Sequence, residues 1–258
     1  MGPMRCFQTM LLLVVAALPV RGAEQTTVLF LGDSITAGRG VGEDAAYPAL
    51  LERRWRAAGK QRRVINAGIS GDTSKGGAAR IGFLLRSEPD WVVVALGGND
   101  ALRGLPPERL GANLAKIIEA SRKAGVRVAL LGMRAPPNMG ETYQRDFAAV
   151  YPALAERHAV PLYPFLLEGV AGDRELNQRD RIHPTRAGQK VLADRIGAFL
   201  EPLLDPPPPV SDPEEPVEAE GDAAESEPAD DVADAARGDA QGDAQGATTA
   251  DEAGQGER

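Results

Sequence analysis

Trp91-Val92-Val93-Val94-Ala95-Leu96 is the stretch on which the fold turns, and the loop after it, Gly97-Gly98-Asn99-Asp100, opens the question of function. All six residues of the run are apolar, without the alternation of a strand that is wet on one face. A strand buried on both faces needs that pattern, and such strands belong to parallel sheets covered by helices. Four further runs share strand character, at residues 27–31, 63–66, 127–133 and 160–165. Helical segments lie between and after them. Residues 47–59 place Leu50, Leu51 and Trp55 near one-turn spacing and stop at Gly59. Residues 107–125 put Leu110, Leu114, Ile117 and Ile118 on one face, and residues 143–158 and 185–204 carry similar stripes. Thr185, just after Pro184, is placed to cap the last helix. Strands alternating with helices predict an α/β chain. The expected architecture is a three-layer α/β/α sandwich on a five-stranded parallel sheet in flavodoxin-like order, with functional groups on loops past the carboxyl ends of the strands.

The two ends of the chain read differently from its body. Residues 1–23 have the layout of a signal peptide, with Arg5 ahead of an apolar stretch at residues 10–18 and small residues around Gly22. That stretch is too short to span a bilayer as a helix, so no stable membrane insertion is expected once the leader is removed. Periplasmic or secreted protein is the expected destination. Cys6, the single cysteine, lies in the leader. The mature chain would then have no disulfide, thiolate metal site or cysteine nucleophile. From residue 205 to the C-terminus there are 17 Asp and Glu against 2 Lys and Arg, out of 37 and 29 in the whole chain. The formal charge of −8 therefore belongs to the tail, and the body is mildly basic. Residues 205–258, rich in Pro, Ala, Gly and acids, cannot bury enough apolar surface to offset the entropy of ordering and are expected to be disordered. Residues 24–204 are the expected folded domain, long enough for a sizeable core.

The loops after the strands carry the polar chemistry. Gly32-Asp33-Ser34 follows the first, Asn66 to Thr73 the second, Gly97-Gly98-Asn99-Asp100 the third, and Asp180-Arg181-Ile182-His183-Pro184 precedes the last helix. All should fall at one sheet edge. A serine hydroxyl needs a base to act as a nucleophile at neutral pH. The chain has two histidines. His158 reads as a helix-end residue, whereas His183 has Asp180 three residues earlier, close enough to bond the imidazole Nδ1–H and fix its tautomer. An oxyanion needs donors. Ser34 can offer its backbone N–H at the start of a helix, Gly71 its N–H, and Asn99 its side-chain amide.

These blocks resemble the SGNH (GDSL-type) hydrolase family, and within it the bacterial thioesterase I, lysophospholipase L1 and arylesterase group. The first block is similar to Leu31 through Gly38, the second to Asn66 through Ser74, the third to Leu96 through Asp100, and the fifth to Asp180 through Pro184. The resemblance covers about residues 26–204. It implies an acyl-ester hydrolase with Ser34 as nucleophile, His183 as base, Asp180 as its acid, and Ser34, Gly71 and Asn99 as the oxyanion hole. It also implies small-molecule substrates, namely acyl esters, acyl-thioesters or lysophospholipids, with no cofactor, no metal and no nucleic acid. Residues 133–140 fall where the group has a substrate-contacting loop; equally, their prolines can simply end a strand. Two departures stand out: Arg181 occupies a position where the family usually has Gly, and Thr185 one where Asn is common. Two other functions suit the same residues: a carbohydrate O-acetylesterase of the same family, and a non-catalytic binding protein on this fold. Spacing excludes Gly-x-Ser-x-Gly and phosphate-binding loops, and two distant histidines argue against a transition-metal site.

Overall fold

The structure is a computed structural model described over residues 25–205. The expected leader and, beyond Asp205, the expected tail lie outside the described residues. Five parallel strands, β1 (Thr26–Gly32), β2 (Arg62–Gly68), β3 (Trp91–Ala95), β4 (Arg127–Leu131) and β5 (Leu162–Tyr163), form one sheet in the order β2-β1-β3-β4-β5. This is the expected flavodoxin-like order. All of β3 is buried, as its unbroken apolar run requires. The register sets Gly32 opposite both Gly68 and Ala95. The loops after β1, β2 and β3 therefore leave the sheet at one level, at the point where the strand order reverses.

The helices are α1 (Tyr47–Ala57), α2 (Ser74–Leu84), α3 (Gly98–Leu102), α4 (Pro107–Lys123), α5 (Glu141–Arg157) and α6 (Arg186–Leu204). The β1–β2 crossover runs opposite to the later ones, so right-handed connections place α1 on the other face from α2, α4 and α5. Packing agrees: α1 contacts α6, while α2 contacts α4 and α4 contacts α5. On α4 the buried residues are Leu110, Leu114, Ile117, Ile118 and Ser121, the stripe read from the sequence with one turn added. Burying each of those aliphatic side chains contributes about 2 kcal/mol. Thr185 caps α6 as expected, its hydroxyl accepting from the Gly188 N–H at 3.2 Å.

Some boundaries moved for physical reasons. The fifth strand keeps two of the six expected residues because Pro161 and Pro164 bracket it, and proline has no N–H to give a ladder. Asp205, next after the expected boundary at 204, is the C-cap of α6. Asp205 accepts a hydrogen bond from Lys60 (2.8 Å) and forms an ion pair with Arg62 (2.6 Å), while Glu201 accepts from both cations, closing the end of α6 onto the start of β2. Helix α2 was not expected, since Gly76, Gly77 and Gly82 interrupt its apolar pattern. Gly77 is there for close packing: a Cβ on it would stand 2.3 Å from Leu96 Cδ1. Finally, Ser34 does not begin a helix. Residues 34–41 form consecutive turns, with the Ala37 N–H donating to the Asp33 carbonyl at 2.9 Å and the Arg39 N–H to the Ser34 carbonyl at 3.0 Å.

Candidate active site

The site begins where β1 ends. Ser34 is 6% exposed, and its Oγ lies 2.8 Å from His183 Nε2 across 149 residues of chain. His183 Nδ1 lies 2.6 Å from Asp180 Oδ2. A carboxylate can only accept, so Nδ1 carries the imidazole proton and Nε2 is left to accept from the Ser34 hydroxyl. Partial burial pushes the Asp180 carboxyl up, but the His183 backbone N–H, the imidazole and the Ile182 N–H outweigh it and hold the group at about 2. Both backbone bonds go to Oδ1 at 3.0 Å, so Asp180 is itself fixed and keeps Oδ2 for the imidazole. Arg181 sits between them at φ 58°, in the left-handed region. An L side chain in that conformation costs roughly 1 kcal/mol relative to glycine. Asp180 and His183 keep their spacing. His158, read as a helix-end residue, is the C-cap of α5, with its carbonyl held by Arg122.

The expected oxyanion donors stand on the loops after β1, β2 and β3. Gly71 has φ 82°, a conformation that L side chains resist. Among the described residues neither the Ser34 nor the Gly71 N–H donates a hydrogen bond. Asn99, in α3, donates from Nδ2 to the Asp72 carbonyl at 2.9 Å and makes a longer contact of 3.4 Å to Asp33 Oδ2. One amide hydrogen is therefore committed and the other only loosely held. The five sequence-chosen residues thus fall at one sheet edge: Ser34, His183 and Asp180 form one hydrogen-bonded chain, and Asn99 binds the residue after Gly71.

Several residues that build this edge were not singled out by the sequence. Arg103, just past α3, donates to the Gly71 carbonyl at 2.8 Å, so Arg103 and Asn99 grip two successive carbonyls of the Gly71 loop. Arg80, on α2, donates to Asp72 Oδ2 at 2.8 Å and to the Gly32 carbonyl at 3.1 Å, tying that loop to the end of β1. Asp100 accepts from the Ser74 N–H (2.8 Å) and hydroxyl (2.6 Å), fixing the start of α2. Apart from Arg80 with Asp72, eight residues apart, these pairs span 26 to 48 residues, and no local pattern announces them. Asp33 was in plain view inside Gly-Asp-Ser, yet without a partner it reads as a turn residue.

Asp33 has a measurable consequence. Burial pushes its carboxyl up to about 6; the Ile35 N–H at 3.0 Å opposes this, while Asp72 and Asp100 add to it. A carboxyl whose folded value lies above its unfolded 3.8 holds its proton more tightly when folded, so its contribution is fully present below pH 4 and is lost as pH rises through 6. Asp33→Asn removes that loss. The variant should gain on the wild type by on the order of 3 kcal/mol between pH 4 and pH 7 in urea unfolding. A difference independent of pH would show that Asp33 does not titrate in this window.

Comparison with known proteins agrees with this geometry. The model of the GDSL-like Lipase/Acylhydrolase family matches residues 30–191. Esterase TesA of Pseudomonas aeruginosa is 45% identical over 183 residues, covering 70% of this chain and 91% of that protein. Thioesterase 1/protease 1/lysophospholipase L1 of Escherichia coli K12 is 42% identical over 193 residues, covering 74% and 91%. Among solved structures, the crystal structure of TesA has a TM-score of 0.67 at 45% identity, over 69% of this chain and 99% of that one. The psychrotrophic esterase EstA from Pseudoalteromonas sp., in a structure inhibited by monoethylphosphonate, has a TM-score of 0.68 at 32% identity, over 70% and 99%. The chain therefore belongs to the GDSL-like lipase/acylhydrolase family and is an esterase of that family.

Proposed function

We propose that this esterase hydrolyses carboxylic esters and thioesters with apolar acyl chains, lysophospholipids included, through an acyl-enzyme on Ser34. The observation that carries the reading is the chain Ser34 Oγ to His183 Nε2 (2.8 Å), His183 Nδ1 to Asp180 Oδ2 (2.6 Å). Ser34 Oγ attacks the carbonyl carbon as His183 Nε2 takes its proton. The Ser34 and Gly71 N–H groups and the loosely held Asn99 amide hydrogen stabilise the oxyanion. Collapse of the tetrahedral adduct breaks the bond to the leaving oxygen or sulfur, which takes the proton from His183. Water, deprotonated by the same imidazole, then attacks the acyl-Ser34 ester, releasing the carboxylic acid and restoring the hydroxyl.

The apolar acyl preference has support in the loop after β4. Its Met133 Cε would stand 3.2 Å from a Cβ placed on Gly98, the neighbour of Asn99, and its Met139 Cε 3.3 Å from one on Gly104. Met133 belongs to the core beneath the site, and the half-buried Met139 reaches the turn after α3; methionine suits variable acyl chains. The names of the thioesterase/lysophospholipase and esterase relatives point the same way. Residues 1–23 as leader, 24–204 as catalytic domain and 205–258 as an acidic tail complete the reading, with the periplasm or the exterior as the place of work. Among the described residues no helix is long and apolar enough to cross a membrane.

The test is a substrate panel on purified protein: p-nitrophenyl esters from two to twelve carbons, acyl-thioesters, a lysophospholipid and acetylated sugars. The expected profile has kcat/KM rising from the acetyl to the medium-chain esters by at least about tenfold, as a few buried methylenes allow, with lysophospholipid and thioester both turned over. Turnover of acetyl sugars alone would replace this reading with that of a carbohydrate O-acetylesterase.

A further inference from the structure

Four large hydrophobic side chains are exposed among the described residues: Ile69 (52%), Phe83 (69%), Leu102 (47%) and Ile182 (37%). Three of the four stand on the loops that build the site. Ile69 is two residues before Gly71, Leu102 is three after Asn99, and Ile182 directly precedes His183. Phe83, near the far end of α2, is apart from them. The three loops are bound together at the sheet edge: the Ile69 N–H donates to the Gly32 carbonyl at 3.1 Å, Arg103 to the Gly71 carbonyl at 2.8 Å, and His183 meets Ser34 at 2.8 Å. The three apolar residues therefore stand on segments that meet at one site. A cluster of this kind marks an interaction surface more often than scattered exposed leucines do.

The charges on the same loops decide what these residues meet. The acids nearest the catalytic groups already have partners: Asp72 is paired with Arg80, Asp100 bonds Ser74, and Asp180 bonds His183, while Glu43, Asp44 and Glu175 lie farther along the same connections. The cations have no such partner. Arg103 beside Leu102, Arg181 beside Ile182, and Arg39, five residues after Ser34, are all exposed, and none faces a carboxylate among the described residues. Arg181 is also bound to this rim through its N–H, which donates to the Gln178 carbonyl at 2.9 Å, while the Gln178 amide donates to the Arg39 carbonyl at 2.7 Å. Apolar side chains interleaved with unpaired arginines are what an anionic lipid surface recognises: the first enter the acyl boundary, the second meet the headgroup charge.

We propose that the mouth of the Ser34 site docks on an anionic lipid surface through Ile69, Leu102 and Ile182, with Arg39, Arg103 and Arg181 at the headgroups. The proposal rests on the lipid-ester reading above and adds the surface from which such a substrate is drawn. Docking needs no turnover, so the two can fail separately.

The test is co-sedimentation of the Ser34→Ala protein with vesicles of phosphatidylcholine alone and of phosphatidylcholine with phosphatidylglycerol, at low and physiological salt. Partitioning should be at least about tenfold stronger onto the anionic vesicles and should weaken with salt, as a few arginines near the surface imply. Combining Ile69→Ser with Leu102→Ser should lower it by about tenfold, and Arg39→Gln by about fivefold. The same exposed-residue changes made with Ser34 intact should leave kcat/KM on a soluble short-chain ester within about twofold, which also reports that the fold is kept. The acidic C-terminal segment is common to all variants, so its repulsion cancels between variants on the same vesicles; between vesicle types it works against the expected preference, which must be seen in spite of it. Equal partitioning onto both vesicle types, or binding that ignores the apolar changes, overturns the proposal. So does hydrolysis of monomeric lysophospholipid without any vesicle binding. Vesicle binding without lysophospholipid hydrolysis upholds the docking and removes the substrate instead.

Discussion

Ser34→Ala is expected to lower kcat on a soluble p-nitrophenyl ester by roughly 10⁶-fold. Only the Oγ is lost, and with it the atom that forms the acyl bond and the partner of His183 Nε2 at 2.8 Å. The side chain is 6% exposed and makes no other hydrogen bond from Oγ among the described residues, so alanine fits without repacking. KM should change by no more than a few-fold and the melting temperature by no more than a few degrees. What activity survives is that of oriented water in front of the oxyanion donors. A variant that kept more than about a tenth of the wild-type kcat, far above the residual level typical of such sites, would mean that another group forms the covalent bond.

Asp180→Asn is expected to cost roughly 10⁴-fold in kcat, and the hydrogen-bond pattern gives the reason. Asp180 Oδ1 accepts from the Ile182 and His183 N–H groups, both at 3.0 Å. An asparagine keeps those two bonds by leaving its oxygen there, which turns its NH₂ toward His183 Nδ1. A donor facing Nδ1 forces the imidazole proton onto Nε2. The Ser34 hydroxyl then has no base, although every heavy atom stays in place. Because Asp180 acts only through the imidazole, adding Asp180→Asn to Ser34→Ala should cost almost nothing more. A loss below about tenfold for Asp180→Asn alone, or a full additive loss in the double variant, would separate Asp180 from the imidazole.

How far the sequence led depended on how local each signal was. The unbroken run at residues 91–96 carried β3 and the parallel sheet, because burial on both faces leaves a mark at every position. The stripe on α4 was visible because burial of one helix face recurs every three to four residues. Helix α2 was not, because Gly76, Gly77 and Gly82 weaken its pattern and its place is set by packing against Leu96. At the site, Ser34, Gly71, Asn99, Asp180 and His183 were legible because each sits in a short polar block after a strand or before a helix. The residues that hold those blocks in register, Arg80, Arg103 and Asp100, were not, since Gly32, Gly71 and Ser74, to which they are tied, lie far away in the chain. Ser34 itself taught a smaller lesson. A serine after a strand suggested a helix start, yet Gly38, Gly40 and Gly42, all at positive φ, keep residues 34–41 in turns before α1 begins.

Covalent trapping of Ser34 tests the central claim most directly. The purified protein is treated with a fluorophosphonate, which transfers its phosphonyl group to an activated serine and loses fluoride, and the adduct is mapped by peptide mass spectrometry. One equivalent on Ser34, matched by complete loss of esterase activity, is the expected result; labelling should disappear in Ser34→Ala and slow markedly in Asp180→Asn. An adduct on any other residue that tracks the loss of activity, or full activity with Ser34 fully labelled, would contradict Ser34 as the nucleophile.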